Sequence, residues 1–215
     1  MKVVLFGATG MVGQAALRAS LLDPDVTEVL AVVRTPMKHE DPKLRALVHT
    51  NFEDFSGLED TLDADACFWC LGVTSAGMSE ADYTRITHDY TLAAAKVLVR
   101  PTMTFVFVSG TGADGNAMWA RVKRKTEDAL TAMPFKEVYV FRPGMIQPLH
   151  GIKSRTRLYN VLYPVIAPLI AVTKRLKPGF VTDTDRVGRA MLRVAKKGYA
   201  KRLLENPDIN EAASA

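Results

Sequence analysis

The chain has 215 residues, 48% of them hydrophobic and 24% charged, with a formal net charge of +5. That is enough apolar material for one good core, and no run of 18 apolar residues exists to cross a bilayer. Residues 119–202 hold nineteen basic and five acidic side chains against nine and fifteen over residues 1–118, which favours an anionic partner: a phosphate-bearing cofactor, an acidic substrate, a membrane surface or nucleic acid.

The run "KVVLFG" reads as a first strand and not as a signal peptide, since no small-residue cleavage site follows it. Next come a helix-like "MVGQAALRASLL", a strand "EVLAVVR" and a weaker strand "ALVHT". "ACFWCLG" leads into the long helical run "SEADYTRITHDYTLAAAKVLVR", "TFVFVSG" leads into "NAMWARVKRKTEDALTAM", and "EVYVFRPG" closes the series. The strands are apolar almost throughout instead of alternating, as strands covered on both faces are. Strand and helix taking turns predicts a single α/β domain over residues 1–215, a doubly wound parallel sheet of Rossmann type. The rhythm breaks after Gly144, so residues 145–182 are expected to form a small lobe, a substrate region or lid over the sheet's C-terminal edge. Inside it, residues 158–172 form an apolar stretch broken by Pro164 and Pro168 and flanked by "KSRTR" and "TKRLK". A substrate-pocket cover or a homodimer interface suits it; a membrane-surface segment held by its basic flanks is the competing reading. A last helix, "DTDRVGRAMLRVAKKG", has Asp183 or Thr184 as N-cap and stops at Gly198. The tail "INEAASA" is expected to fray.

Cys67 and Cys70 would point to opposite faces of a strand and so do not pair easily. Buried thiols and no leader segment give the expectation of a cytoplasmic protein. His39, His49, His88 and His150 show no metal-ligand spacing, and no metal is expected.

Gly7-Ala-Thr-Gly10-Met-Val-Gly13 follows the first strand at once and opens the first helix. In that setting Gly7 permits the tight turn, Gly10 lets backbone approach a pyrophosphate, and Gly13 lets the helix pack on the sheet. The second strand ends in Arg34, with Thr35 and Lys38 nearby, where an NAD site would usually carry an acid. A guanidinium pairs with a 2′-phosphate that a carboxylate would repel, so NADP(H) is expected in preference to NAD(H).

The glycines, "VVR", "CLG", Ser109, Lys123 and "FRPG" form one ordered set, and with "DYTLAAAKV", "VKRKTEDAL" and "RLLEN" the chain resembles the atypical short-chain dehydrogenase/reductase family over nearly its whole length. The closer look is to the NmrA-like branch that includes the Tat-interacting tumour-suppressor proteins. The resemblance implies that Gly7, Thr9, Gly10, Met11, Val12 and Gly13 line the pyrophosphate and that Arg34 meets the 2′-phosphate. It puts Asn51 and Phe52 at the edge of the adenine, Leu71, Gly72 and Val73 beneath the ribose, and Pro143, Gly144 and Met145 near the nicotinamide. Ser109 would orient a substrate carbonyl, and Lys123 would hold the nicotinamide ribose.

The family expects Tyr-x-x-x-Lys on the helix that carries Lys123, and this chain has Trp119 there. An indole N–H donates a hydrogen bond but does not titrate, so the usual proton relay is broken. Tyr83 and Tyr90, on one face of the preceding helix, are candidates to replace it; packing in the core or at a subunit contact is the plainer reading. Two functions follow. One is an NADP(H)-dependent oxidoreductase or epimerase-like enzyme acting on a small molecule. The other is a catalytically silent, NADPH-sensing protein that binds a protein partner. Nucleic acid is not an expected partner, because the basic half lacks interleaved aromatics and any DNA-binding module.

Overall fold

The six long apolar runs become β1 (Lys2–Phe6), β2 (Glu28–Val33), β3 (Leu44–Val48), β4 (Ala66–Trp69), β5 (Thr104–Val108) and β6 (Glu137–Arg142). A computed structural model describes residues 1–152 and 179–214. Three further strands, each of three residues, are β7 (Met145–Gln147), β8 (Val181–Asp183) and β9 (Leu203–Glu205). The main sheet is entirely parallel, ordered β3-β2-β1-β4-β5-β6-β9, while β7 and β8 pair with each other beside it. Strand order reverses direction between β1 and β4, the position at which doubly wound sheets open a crevice for ligands.

The register places that crevice. Phe6 lies opposite Val32 and Trp69, Trp69 opposite Phe107, and Phe107 opposite Val140. The strands therefore end nearly level, and the loops that begin at residues 7, 34, 70, 109 and 143 leave along one edge.

Helices cover both faces of the sheet. One face packs Leu5, Ala31, Phe68 and Val106 against α1 (Met11–Leu22) and the long C-terminal helix α5 (Thr184–Lys197). The other packs Phe6, Trp69, Phe105 and Phe107 against α3 (Tyr90–Leu98) and α4 (Met118–Thr131), together with Phe52 and Phe55 of the β3–β4 loop. Burial on both faces is why the strand sequences do not alternate. α1 and α5 touch almost backbone to backbone: a Cβ on Gly188 would lie 2.5 Å from the Ala15 carbonyl oxygen and 2.8 Å from the Ala19 Cβ.

The long helical run is not one regular helix. α2 (Glu80–Thr84), capped by Ser79, passes through a π turn (Arg85–Asp89) into α3, and the Tyr90 N–H reaches back to the Arg85 carbonyl. The extra residue turns Thr87 and His88 inward, and the His88 ring meets the Thr126 hydroxyl of α4 at 3.2 Å. α5 starts and stops as its sequence implies, with the Asp183 carboxylate accepting from Arg186 N–H and Gly198 at φ +73°. The expectation of a frayed tail is corrected. Residues Asn206–Ala212 form a helix, α6, whose first turn is held by a reciprocal Glu205–Asp208 capping box and whose Ile209 and Ala212 are buried. The stretch 158–172 and most of the expected 145–182 lobe lie outside the described residues. No helix among the described residues is long and apolar enough to cross a membrane.

Candidate functional site

The glycine loop is built by its own packing at two of its three glycines. Gly7 sits at φ +78°, and a Cβ there would come 2.6 Å from the Cys70 carbonyl oxygen; a Cβ on Gly13 would come 2.0 Å from that of Gly7. These contacts press the first turn of α1 onto the β1 loop and the β1 loop onto the β4 loop. Gly10 differs. Its backbone is extended (φ −80°, ψ 166°), and the nearest atom a Cβ would meet is the Gly7 oxygen at 3.4 Å. No packing contact among the described residues requires glycine at that point. The N-terminus of α1 has no side-chain cap and no acidic residue in its first turn, so its positive end is uncompensated by side chains. Thr9 is exposed beside it, and Met11 and Val12 are half-buried.

Arg34 leaves the end of β2 exposed, with no hydrogen-bond or ion-pair partner among the described residues. Asn51 is exposed and caps the Glu53 N–H with its side chain. Phe52, expected at the edge of the adenine, is 4% exposed and packs edge-on against Phe6 and Phe55. Leu71 is half-buried, while Gly72 and Val73 are exposed on the β4 loop beside the glycine loop.

At the other end of the cleft the structure gathers buried charge. Glu127, 4% exposed, accepts the Ser109 hydroxyl and two Arg142 donors, Nε at 3.2 Å and Nη2 at 2.5 Å. The guanidinium is itself 8% exposed, and the Glu127 carboxylate holds it more firmly charged than usual. Lys123, one turn before Glu127 on α4, folds inward: Nζ donates to the Val108 carbonyl at 3.0 Å and sits 5.1 Å from the centre of the Phe107 ring. Burial lowers its pKa to about 8, against the opposing pull of Glu127. Lys123 is therefore neither a surface charge nor an ammonium left open to solvent. Trp119 is half-buried, and its ring lies over Gly112, whose φ is +88°.

The β5 loop is stitched to the end of β6. Ser109 N–H donates to Phe141, Thr111 N–H to Pro143 and the Thr111 hydroxyl to Arg142, all at carbonyl oxygens. Asn206, buried at the start of α6, accepts the Gly144 N–H and donates to the carbonyls of Met145 and Phe180. That fixes Pro143, Gly144 and Met145 beside the β5 loop. Tyr83 is buried, with its phenol pKa raised by that burial, and Tyr90 packs on Phe52. Both thiols are free, and burial pushes both up. No group of metal-binding side chains occurs among the described residues. A separate groove of about 330 Å³ lies against the outer face of α1, lined by Leu17, Arg18, His39 and His150, away from Ser109 and Lys123.

Sequence reasoning missed Glu127, Arg142 and Asn206. The signal for the first two was present. Arg142 is a charge in an apolar strand, and Ala120, Lys123, Glu127 and Leu130 share one helical stripe that the fold turns inward.

No family model matches the chain. Among curated proteins it is similar to the mitochondrial protein fmp52 of Emericella nidulans, 28% identical over 207 residues, covering 91% of this chain and 87% of that one. It is also similar to the mitochondrial protein FMP52 of Meyerozyma guilliermondii, 26% identical, covering 68% of this chain and 65% of that one. Among solved structures it superposes on a short-chain dehydrogenase/reductase family oxidoreductase from Burkholderia thailandensis, with a TM-score of 0.68, 16% identity, and 98% and 92% coverage. MoeE5 in complex with UDP-glucose and NAD gives a TM-score of 0.69 at 19% identity, with 95% of this chain and 75% of that one covered. The chain has the fold of the short-chain dehydrogenases/reductases and related epimerases; the narrower likeness to the Tat-interacting branch rests on sequence motifs alone. The expectation of a cytoplasmic location is overturned, because the curated relatives are named as mitochondrial.

Proposed function

We propose that this chain binds NADP(H) along the C-terminal edge of its sheet and acts as an oxidoreductase or epimerase-like protein on a small molecule. Gly10 carries the reading. It is the one glycine of the loop that the protein's own packing does not demand, and a Cβ there would fill space at the uncapped start of α1. A pyrophosphate belongs in such a place, close to backbone N–H groups and the positive end of a helix. MoeE5 and a UDP-glucuronic acid 4-epimerase from Bacillus cereus, which share the fold, were solved in complex with NAD. Preference for the 2′-phosphorylated form rests on Arg34, an exposed cation without a partner among the described residues. The cofactor, when bound, would supply or accept a hydride. Titration with NADPH and NADH tests the assignment. NADPH should bind more tightly by about 1.5–3 kcal/mol through one charge-assisted contact, and Arg34→Ala should remove most of the difference. Equal affinities in the unmutated protein would overturn the preference.

A second reading, an NADPH-sensing protein without turnover, is favoured by one observation. The position of the family's proton donor is Trp119, whose ring is packed on Gly112 and whose indole does not titrate. Under that reading common ketones and aldehydes are reduced slowly or not at all while NADPH still binds. Trp119→Tyr would then gain turnover. Rapid turnover in the unmutated protein would exclude it.

A further inference from the structure

The hydrogen-bond donors of Ser109 itself, and of Thr111 and Asn206 near it, are spent inside the protein. The hydroxyl proton goes to Glu127, a carboxylate that Arg142 also grips with two N–H groups. The Ser109 N–H goes to Phe141, and both donors of Thr111 go to the carbonyls of Pro143 and Arg142. Asn206 gives its amide protons to Met145 and Phe180 and takes the Gly144 N–H. A serine hydroxyl has one proton and two lone pairs. Both Glu127 oxygens accept, Oε1 from Ser109 and Arg142 Nε and Oε2 from Arg142 Nη2, so the side chain gives Ser109 no donor in return. What remains on the hydroxyl oxygen of the half-buried Ser109 is a pair of acceptor sites, and contact with a carboxylate makes that oxygen a better acceptor than a serine in water.

From this we infer that Ser109 is a hydrogen-bond acceptor toward the cleft, so that the site selects a ligand presenting a hydroxyl or N–H there in preference to one presenting a carbonyl, with Glu127 as the positioning residue that sets this polarity. The inference deepens the NADP(H)-binding reading and rests on it. A ketone brought to Ser109 would set lone pair against lone pair; the corresponding alcohol would donate. The polarity is also invertible. In Glu127→Gln the side-chain oxygen stays at the Oε2 position, where Arg142 Nη2 donates at 2.5 Å, and the NH2 takes the Oε1 position at the cost of the longer, 3.2 Å contact from Arg142 Nε. The new NH2 then faces Ser109, which must accept from it and turns its own proton toward the cleft.

The test uses matched alcohols and ketones, propan-2-ol with acetone and cyclohexanol with cyclohexanone, titrated by ligand-observed NMR into cofactor-loaded protein. Alcohols are added to the NADPH form and ketones to the NADP⁺ form, so that neither pair reacts. Comparing the alcohol-to-ketone affinity ratio between variants cancels the effect of the cofactor's redox state. One hydrogen bond gained or opposed corresponds to about a ten-fold change in that ratio. The unmutated protein should favour alcohols, Glu127→Gln should lower the ratio by about ten-fold or reverse it, and Ser109→Ala should lower it toward that of a site with no acceptor. Ser109→Ala leaves the Glu127–Arg142 pair in place and serves even if Glu127→Gln does not fold. The inference is overturned by Ser109→Ala leaving the ratio unchanged, by a folded Glu127→Gln that does not lower it, or by no probe binding to the loaded protein. Failure of NADPH itself to bind is a separate result and counts against the cofactor reading.

Discussion

The two ends of the cleft are made specific by opposite means. At the glycine loop the determining feature is missing side chains: Gly7 and Gly13 are pressed against backbone, and Gly10 leaves space. At the β5–β6 end it is buried charge, with Ser109, Lys123, Glu127 and Arg142 interlocked under the strand ends. The first end tolerates almost no added atom at two positions yet costs nothing electrostatically. The second removes charges from water and returns that cost only while every partner is present. The same edge of one sheet therefore answers differently to mutation at its two ends, and the difference separates what holds the fold from what holds a ligand.

The largest effect is expected at the charged end. Glu127→Ala leaves Arg142 buried without its carboxylate and should destabilise the protein by about 3–5 kcal/mol in denaturant unfolding; a loss below about 1 kcal/mol would mean that water reaches the guanidinium. At the other end, Gly13→Ala forces a Cβ into the Gly7 carbonyl and should cost about 3 kcal/mol through backbone displacement. A crystal structure of that variant with an unmoved loop would break the packing argument.

Lys123 sharpens the comparison through pH. Its pKa falls from 10.5 to about 8 on folding, so between those values the unfolded chain binds more protons and stability rises with pH. Below pH 8 both states carry the charge and the burial cost is felt in full. Relative to Lys123→Met, the unmutated protein should gain up to about 3 kcal/mol as the pH rises through this window. A flat difference would place the ammonium in contact with water. The smallest effect on stability belongs to Arg34→Ala, within about 0.5 kcal/mol for an exposed, unpartnered side chain, although NADPH affinity should fall.

Much of this fold was legible because its signals are local and repeated. Five of the six long strands announced themselves as largely apolar runs, β3 with Arg45 inside it was the weaker signal, and the cap residues of α5 marked both of its ends. β7, β8 and β9 were not legible, since three residues are too few to carry a period and their pairing partners lie elsewhere in the chain. The π turn was hidden because one inserted residue changes which side chains face inward without changing composition. The tail was misread for a related reason: its small and polar residues look like loop, while the capping box and the burial of Ile209 and Ala212 depend on where β9 leaves the chain. At the site, the glycine loop could be read from its three glycines together with their place between a strand and a helix. Glu127 could not, because in "VKRKTEDAL" it is one charge among many, and only the approach of Arg142 from β6 distinguishes it.

The central claim is that the glycine loop holds a dinucleotide, and Gly10→Ala tests it most directly. Its extended backbone and the 3.4 Å clearance from the Gly7 oxygen admit a Cβ, so thermal unfolding should shift by no more than about 2 °C. Titrated with NADPH, the same variant should bind at least about ten-fold more weakly than the unmutated protein, because the added methyl occupies the approach of the pyrophosphate. NADPH affinity left unchanged by Gly10→Ala, or an unmutated protein that does not bind NADPH, would contradict the account.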